Sequence, residues 1–312
     1  MSDAWGNYWD KGHSTTFGEY YSDGYTHGYI AKWLKDIIEQ RSGEELNLFE
    51  VGCGNASLLP CLFDLNVKGS YVGIDAAKVG ISESATRRNK KLLDVELISE
   101  TPIERFKPEK QFDIVLSIYG IEYSDTDQSL SVIKNCVKSG GQVFLLMHHA
   151  DSYICEQSKK AITEFEFEKM QKAVSKLRSL NTELDKLGGD VEKLPSSGKA
   201  EKSRAFLNKF IAKIMNQAAD KRNPVMVDFC SIVLVFFKRI KGSKDERKKH
   251  IDSIMPDFIA SKERFLQMVN VAKNEKEMDN FKAKMEASGF KNVIIKPVIT
   301  ERGPVAWSVQ AD

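Results

Sequence analysis

Residues 46–59 read LNLFEVGCGNASLL, and the fold class follows from them. Apolar Leu46, Leu48, Phe49 and Val51 form a short strand that carries Glu50 near its end. Gly52 and Gly54 come next, followed by the small residues Asn55, Ala56 and Ser57. Leu58-Leu59-Pro60-Cys61-Leu62 then opens a helix. Glycines let a backbone pass close beneath a ligand and take dihedrals that a Cβ forbids. The helix behind them offers free N–H groups. A turn of this kind at the carboxyl edge of a strand is where open α/β sheets bind nucleotide-like ligands.

Outward from this stretch, strand and helix alternate up to residue 150. Further strands are expected at 70–75 (SYVGID), 95–98, 112–118 (FDIVLSI) and 142–147 (QVFLLM). Helices are expected at about 56–65, 78–91 and 127–138, with Ser139-Gly140-Gly141 turning into the fifth strand. The strands are short and apolar on both faces, which predicts a parallel, doubly wound α/β sheet. The same grammar returns near the end of the chain. A helix over 275–288 stops at Gly289, and strands at 291–297 and 305–310 are joined by the turn Arg302-Gly303-Pro304. The expected sheet has seven strands.

Two regions lie outside this core. Residues 1–45 comprise an arm rich in aromatics (Trp5, Tyr8, Trp9, Phe17, Tyr20, Tyr21) and an amphipathic helix over about 25–41. The arm reads either as a loosely packed tail or as a lid over a pocket. Residues 151–275 are rich in Lys and Glu, with apolar residues at helical spacing, and read as a helical insertion between strands five and six. Its stripes are packing faces first, and a cap over a pocket or a dimer contact is a further reading. The crowded run 225–237 suggests a helix or strand buried on most sides, and the Lys-rich run 238–250 a solvated linker or helix face. The core therefore comprises 46–150 with 276–312.

Composition narrows the partners. With 312 residues and a net charge of +2, nothing calls for a nucleic-acid backbone or an anionic membrane. The five cysteines, at 53, 61, 136, 155 and 230, show no CxxC spacing. They read as free thiols of a cytoplasmic protein, with no metal site. The polar, aromatic N-terminus does not read as a signal peptide. The most apolar run is shorter than the roughly 20 residues needed to span a bilayer.

The candidate site follows the carboxyl ends of the strands. Gly52 and Gly54 let a ligand approach, and Glu50 either holds the turn or faces a ligand amino group. Asp75, with Ala76 beside it, closes the second strand, where an acid accepts hydrogen bonds from both ribose hydroxyls. Ser99, Glu100 and Thr101 follow the third strand, where polar groups meet an adenine edge.

On these residues the chain resembles the class I S-adenosylmethionine-dependent methyltransferases. In that family an acid precedes G-x-G-x-G, here Glu50, Gly52, Gly54 and Ala56, with alanine in place of the third glycine. Asp75 matches the ribose-binding acid. Phe112-Asp113-Ile114-Val115 matches strand four, and Ser139-Gly140-Gly141 stands where the family has P-G-G. Ala287-Ser288-Gly289-Phe290 and the two closing strands look like the family's final helix and antiparallel hairpin. The resemblance implies a Rossmann-like seven-stranded fold with the last strand antiparallel, and S-adenosylmethionine as cofactor. A nicotinamide or flavin domain is the rival, but its G-x-G-x-x-G needs glycine where this chain has Ser57.

Methyl transfer mainly requires two reactants to be positioned, and a hydroxyl acceptor also needs a general base. The residues expected near the acceptor are Ser117, Tyr119, Glu122 and Tyr123 after strand four, and His148 and His149 after strand five. Of these, Glu122, Tyr123, His148 and His149 are the catalytic candidates, while Ser117 and Tyr119 are grouped with the cofactor site. The Asn/Asp-Pro-Pro-aromatic signature of enzymes that methylate adenine or glutamine is absent. The reading is O- or N-methylation of a small molecule. The alternatives are a protein or RNA methyltransferase, and a non-catalytic cofactor-binding module whose insertion binds a partner.

Overall fold

The computed structural model describes residues 4–89 and 91–312, apart from the side chains of Glu19 and Tyr20. Residues 1–3 of the expected arm, the Tyr20 side chain and residue 90 of the expected 78–91 helix therefore lie outside the described residues. The chain divides into one unit that runs to Gln157 and resumes at Gln267, and a second unit, Ser158–Leu266.

The first unit opens with α1 (Ala4–Trp9) and α2 (Gly28–Glu39), which lead into β1 (Glu45–Val51). Then come α3 (Leu59–Asp64), β2 (Lys68–Ile74), α4 (Glu83–Arg88) and β3 (Leu93–Ile98). They are followed by β4 (Phe112–Ile118), α5 (Thr126–Cys136), β5 (Val137–His148) and α6 (Tyr153–Glu164). The second unit is built from helices: α7 (Phe167–Lys186), α8 (Gly198–Met215), α9 (Pro224–Lys238) and most of α10 (Lys244–Val271). The chain then returns through α11 (Glu275–Ala287), β6 (Ile294–Thr300) and β7 (Gly303–Ala311).

The seven strands lie in the order β3-β2-β1-β4-β5-β7-β6. β1 to β5 pair in parallel, and β7 runs antiparallel to both β5 and β6. This is the doubly wound, seven-stranded α/β sheet expected from the sequence. Alternate residues feed two cores. Leu46, Leu48, Ile114, Leu116 and Leu146 pack under α2 and α3. Phe49, Val51, Val115, Leu145 and Met147 pack under α5 and α11. The amphipathic face of α2 buries Ile30, Leu34, Ile37 and Ile38, each worth about 1.5–3 kcal/mol when fully removed from water.

Strand five departs from its expected limits. It begins at Val137, directly after α5, and absorbs Ser139-Gly140-Gly141 as an irregularity against β4. A Cβ on Gly141 would lie 2.9 Å from the carbonyl oxygen of Phe112, so the glycine is needed for the strands to close together. The arm is ordered where no period was visible, because α1 has only six residues. The 225–237 run is the helix α9, with Phe229, Cys230, Val233 and Phe236 buried. The 238–250 run spans the end of α9 and the start of α10, and it buries Arg247.

The strand order reverses direction between β1 and β4. In open α/β sheets the crevice outside the carboxyl ends at such a switch point is the binding place. Here those ends are Val51 and Ile118.

Candidate active site

Gly52 and Gly120 meet at this switch point, the first leaving β1 and the second following β4. Gly52 has φ +73°, and a Cβ added to it would lie 2.8 Å from the Gly120 Cα. Three non-glycine residues near the strand ends also take left-handed backbone: Ala56 (φ 56°), Glu100 (φ 53°) and Tyr119 (φ 54°). Such residues are uncommon and cluster at functional sites. Ala56 holds the conformation for which the third glycine of the resembled pattern is suited. Its methyl group is fully buried, which offsets part of the strain.

A cleft of about 800 Å³ opens over these strand ends. Glu50, Gly52, Gly54, Asp75, Ala76, Tyr119 and Tyr123 line it. Asp75 is held by two backbone donors: Gly54 N–H to Oδ2 at 2.9 Å and Ala77 N–H to Oδ1 at 2.8 Å. A carboxylate has about four acceptor positions, so the group can accept further bonds from a ligand. Burial raises its pKa, and the two backbone donors oppose that rise. Glu50 is buried and accepts a short hydrogen bond from the Tyr71 hydroxyl. Burial pushes its carboxyl up to about 8, the Tyr71 bond pulls it down, and the nearby Asp75 adds to the rise.

The other expected residues fall elsewhere among the described residues. The Ser99 hydroxyl donates to the Val79 carbonyl at 2.9 Å and accepts from the Val79 N–H at 3.1 Å, which ties down the loop after β2. Glu100 is exposed on its turn, where its N–H binds the Ala77 carbonyl. The Ser117 hydroxyl donates to the Val51 carbonyl at 2.8 Å and accepts from the Ile121 N–H at 2.9 Å, joining the ends of β1 and β4. All three are absent from the cleft lining: the Ser99 and Ser117 hydroxyls serve the backbone, and the Glu100 side chain is exposed.

Glu122 and His148 form a buried pair behind the cleft wall. Glu122 Oε1 accepts from the His148 backbone N–H at 2.9 Å and lies 2.8 Å from ring Nδ1. With the carboxylate as acceptor, Nδ1 carries the ring hydrogen and Nε2 keeps its lone pair. Among the described residues, Glu122 Oε2 is buried without a hydrogen-bond partner. The imidazole packs edge-on against Tyr119 at 4.3 Å and Tyr123 at 6.0 Å between ring centroids, and both rings line the cleft. His149 points away from this pair. It stacks on Trp307 at 4.4 Å and accepts from the Asp151 N–H at 3.1 Å. Burial lowers its pKa, with Asp151 and Glu275 opposing.

Two parts of the wall lie outside the residues named as site candidates from the sequence, although one reading of the arm was a lid. One is the 102–104 segment, which contributes Ile103 and Glu104. The other is the arm, which contributes Trp5, Trp9, Thr16 and Tyr25. Asn55 and Ser57 hold that arm in place. Asn55 Nδ2 donates to the carbonyls of Trp9 and His13, both at 2.9 Å, and Ser57 Oγ donates to that of Ser14 at 2.5 Å. The Trp9 ring closes over Gly54, where an added Cβ would meet it at 2.6 Å. The density of aromatics in residues 1–24 was the only signal in the sequence.

Residues 49–143 match the family model described as a methyltransferase domain. That stretch runs from β1 into β5 and carries the glycine turn and Asp75. The glycines, the backbone-held Asp75 and the buried Glu50 lie together along one side of the cleft. No curated protein matches the chain. Among solved structures, it is similar to an S-adenosylmethionine-dependent methyltransferase from Clostridium acetobutylicum ATCC 824. That match has 16% identity, covers 38% of this chain and 50% of the other, and has a TM-score of 0.30. The glycopeptide N-methyltransferase MtfA matches at 15% identity over 42% of this chain and 57% of its own, with a TM-score of 0.30. The CMeT domain of the citrinin polyketide synthase matches at 12% identity over 90% of this chain and 51% of the other, with a TM-score of 0.40. The matched part thus spans about half the length of these proteins.

Proposed function

We propose that the protein transfers a methyl group from S-adenosylmethionine to a small molecule bound in the cleft at the carboxyl ends of β1 and β4. The observation that carries this reading is the aromatic arm held over the glycine turn, which walls the cleft with Trp5, Trp9 and Tyr25. A cleft walled in this way suits a metabolite better than a polymer. The bound cofactor supplies a methyl group already activated on a sulfonium.

In this reading the chain's own residues bind, orient and accept a proton. Gly52 and Gly54 admit the methionine portion, Glu50 faces its amino group, and Asp75 binds the ribose hydroxyls. Tyr119 and Tyr123 shape the acceptor end, with the Tyr119 hydroxyl fixed 2.6 Å from that of Tyr29. His148, kept by Glu122 as the Nδ1–H form, is the base for an acceptor that must lose a proton. Among the described residues no helix is long and apolar enough to cross a membrane. The free cysteines support a cytoplasmic location.

Thermal melts with S-adenosylmethionine, S-adenosylhomocysteine and NADH test the cofactor. Stabilisation by the first two is expected, and stabilisation by NADH alone would overturn the reading. Incubation of a cell extract with methyl-labelled S-adenosylmethionine tests the acceptor class. Label is expected in the small-molecule fraction, and label confined to protein or RNA would favour a macromolecular substrate.

A further inference from the structure

The ionisable carboxyl groups of the cleft lining have no basic side chain beside them. Three acids line it, Glu50, Asp75 and Glu104, whereas no Lys, Arg or His does so among the described residues. Glu50 and Asp75 lie at the glycine turn, on the cofactor side. Away from that turn, Trp5, Tyr25, Tyr119 and Tyr123 supply aromatic rings to the wall, beside aliphatic Ile103 and Ile118. Trp5 and Tyr123 meet edge to face, with ring centroids 5.5 Å apart.

Directly behind Tyr119 and Tyr123 lies Glu122, which is 4% exposed. One of its oxygens is committed to His148, while Oε2 has no partner among the described residues. A buried acceptor left unsatisfied in this way is costly. An anionic ligand would enter a low-dielectric cleft with no cation to pair with and carboxyl groups near it, which is strongly unfavourable. A cation gains twice, from the negative faces of the rings and from the carboxyl group behind them.

We propose that the acceptor is a small organic amine that binds as its cation, held among Trp5, Tyr25, Tyr119 and Tyr123 with the Glu122 carboxyl group as its counter-charge; one N–H proton then leaves to the His148 base, and the freed lone pair forms the N–C bond as the S–C bond of S-adenosylmethionine breaks to leave S-adenosylhomocysteine. This rests on the methyl-transfer reading above and names its substrate class. It also gives the orphan Oε2 a role, since the field of that oxygen acts on whatever occupies the aromatic wall.

An isosteric series tests the proposal by calorimetric titration of the protein saturated with S-adenosylhomocysteine. Choline, 3,3-dimethylbutan-1-ol and 3,3-dimethylbutanoate share similar bulk and differ in charge. Choline is expected to bind at least tenfold more tightly than the alcohol, and the carboxylate more weakly than either. Glu122→Gln and Trp5→Leu should each lower choline affinity at least fivefold and leave the alcohol unchanged. If Glu122→Gln fails to fold, Tyr123→Leu tests the same wall. Equal binding of choline and the alcohol, or no binding of choline, would overturn the proposal. The initial titration with S-adenosylhomocysteine separates the two readings. Failure there removes the cofactor site, whereas success there without cation preference removes only the substrate class.

Discussion

Glu50 is fully enclosed yet faces the place where a cofactor amino group would lie, so its proton is the most informative at the site. With its carboxyl pushed by burial from its ordinary value near 4.5 up to about 8, the ligand-free protein carries that proton at pH 7. An ammonium placed beside it favours the charged form. Binding of S-adenosylhomocysteine at pH 7 should therefore release a proton, seen as different binding heats in buffers of different ionisation enthalpy. Glu50→Gln should abolish the difference, and buffer-independent heats for the native protein would contradict the assignment. The same group sets a stability trend. Below about 4.5 both folded and unfolded states are protonated and Glu50 contributes nothing. Between 4.5 and 8 the unfolded chain loses the proton that the folded chain keeps, so stability falls as pH rises, and above 8 the loss levels off. The melting temperature of Glu50→Gln should gain on the native protein across that window. Asp75 works differently, because its carboxylate already organises Gly54 and Ala77. Asp75→Ala should weaken S-adenosylhomocysteine binding by about 1–3 kcal/mol, the scale of a charged hydrogen bond and of a buried group left unsatisfied. Unchanged affinity in the titration would remove Asp75 from the ribose site.

Among the elements, the arm depends most on a few contacts. Asn55 donates to two carbonyls of the arm and accepts from the Gly80 N–H at 3.0 Å, so one side chain joins the arm, the glycine turn and the loop after β2. Asn55→Ala should cost about 1–3 kcal/mol. It should also open residues 10–16 to limited proteolysis while β4 and β5 stay protected, and an unchanged digestion pattern would show that the aromatic contacts hold the arm without Asn55. Residues 46–59 were legible as strand, turn and helix, but the clamp formed by Asn55 and Ser57 was not. A short polar side chain in a turn looks the same in sequence whether it bonds its own turn or a segment some 40 residues away. β4 was read at its observed limits because apolar Phe112, Ile114, Val115, Leu116 and Ile118 bracket and fill it, with Asp113 and Ser117 as its polar members. β5 was not, because glycines at 140 and 141 signal a turn locally, and only the neighbouring strand makes them an irregularity. Glu50, Gly52, Gly54 and Asp75 could be found because they lie at the ends of strands that are close in sequence. The partnership of Glu122 with His148, and the exit of His149 to Trp307, depend on the pairing of β4, β5 and β7.

For the molecule as a whole, the two units differ in what stabilises them. The first is held by a seven-stranded sheet between two apolar layers. The second has its own core, in which Met170, Leu177, Phe229, Phe236 and Ile254 are buried. At its polar centre is Arg247, drawn from a run whose sequence suggested only a solvated face. Its guanidinium donates to Asn181 Oδ1 at 2.8 Å and to Asp185 Oδ1 at 2.6 Å, and also to the Gly242 carbonyl. These bonds tie α7 to the start of α10. The Asp185 side chain retains 20% exposure, so the water that still screens it tempers the cost of losing its partner. Arg247→Ala should therefore destabilise by about 3 kcal/mol, the low end for a broken buried pair. Hydrogen exchange should quicken in α7 and the first turns of α10. Because the candidate cofactor residues Glu50, Gly52, Gly54 and Asp75 all belong to the first unit, S-adenosylhomocysteine affinity should be retained at a temperature where the variant stays folded. Conversely, bound S-adenosylhomocysteine at 100 times its Kd should add about 2.7 kcal/mol of protection, concentrated in β1, β2 and the turns that follow them. Loss of affinity in step with the faster exchange of α7 would show that the cofactor site depends on the second unit, which these residue positions argue against.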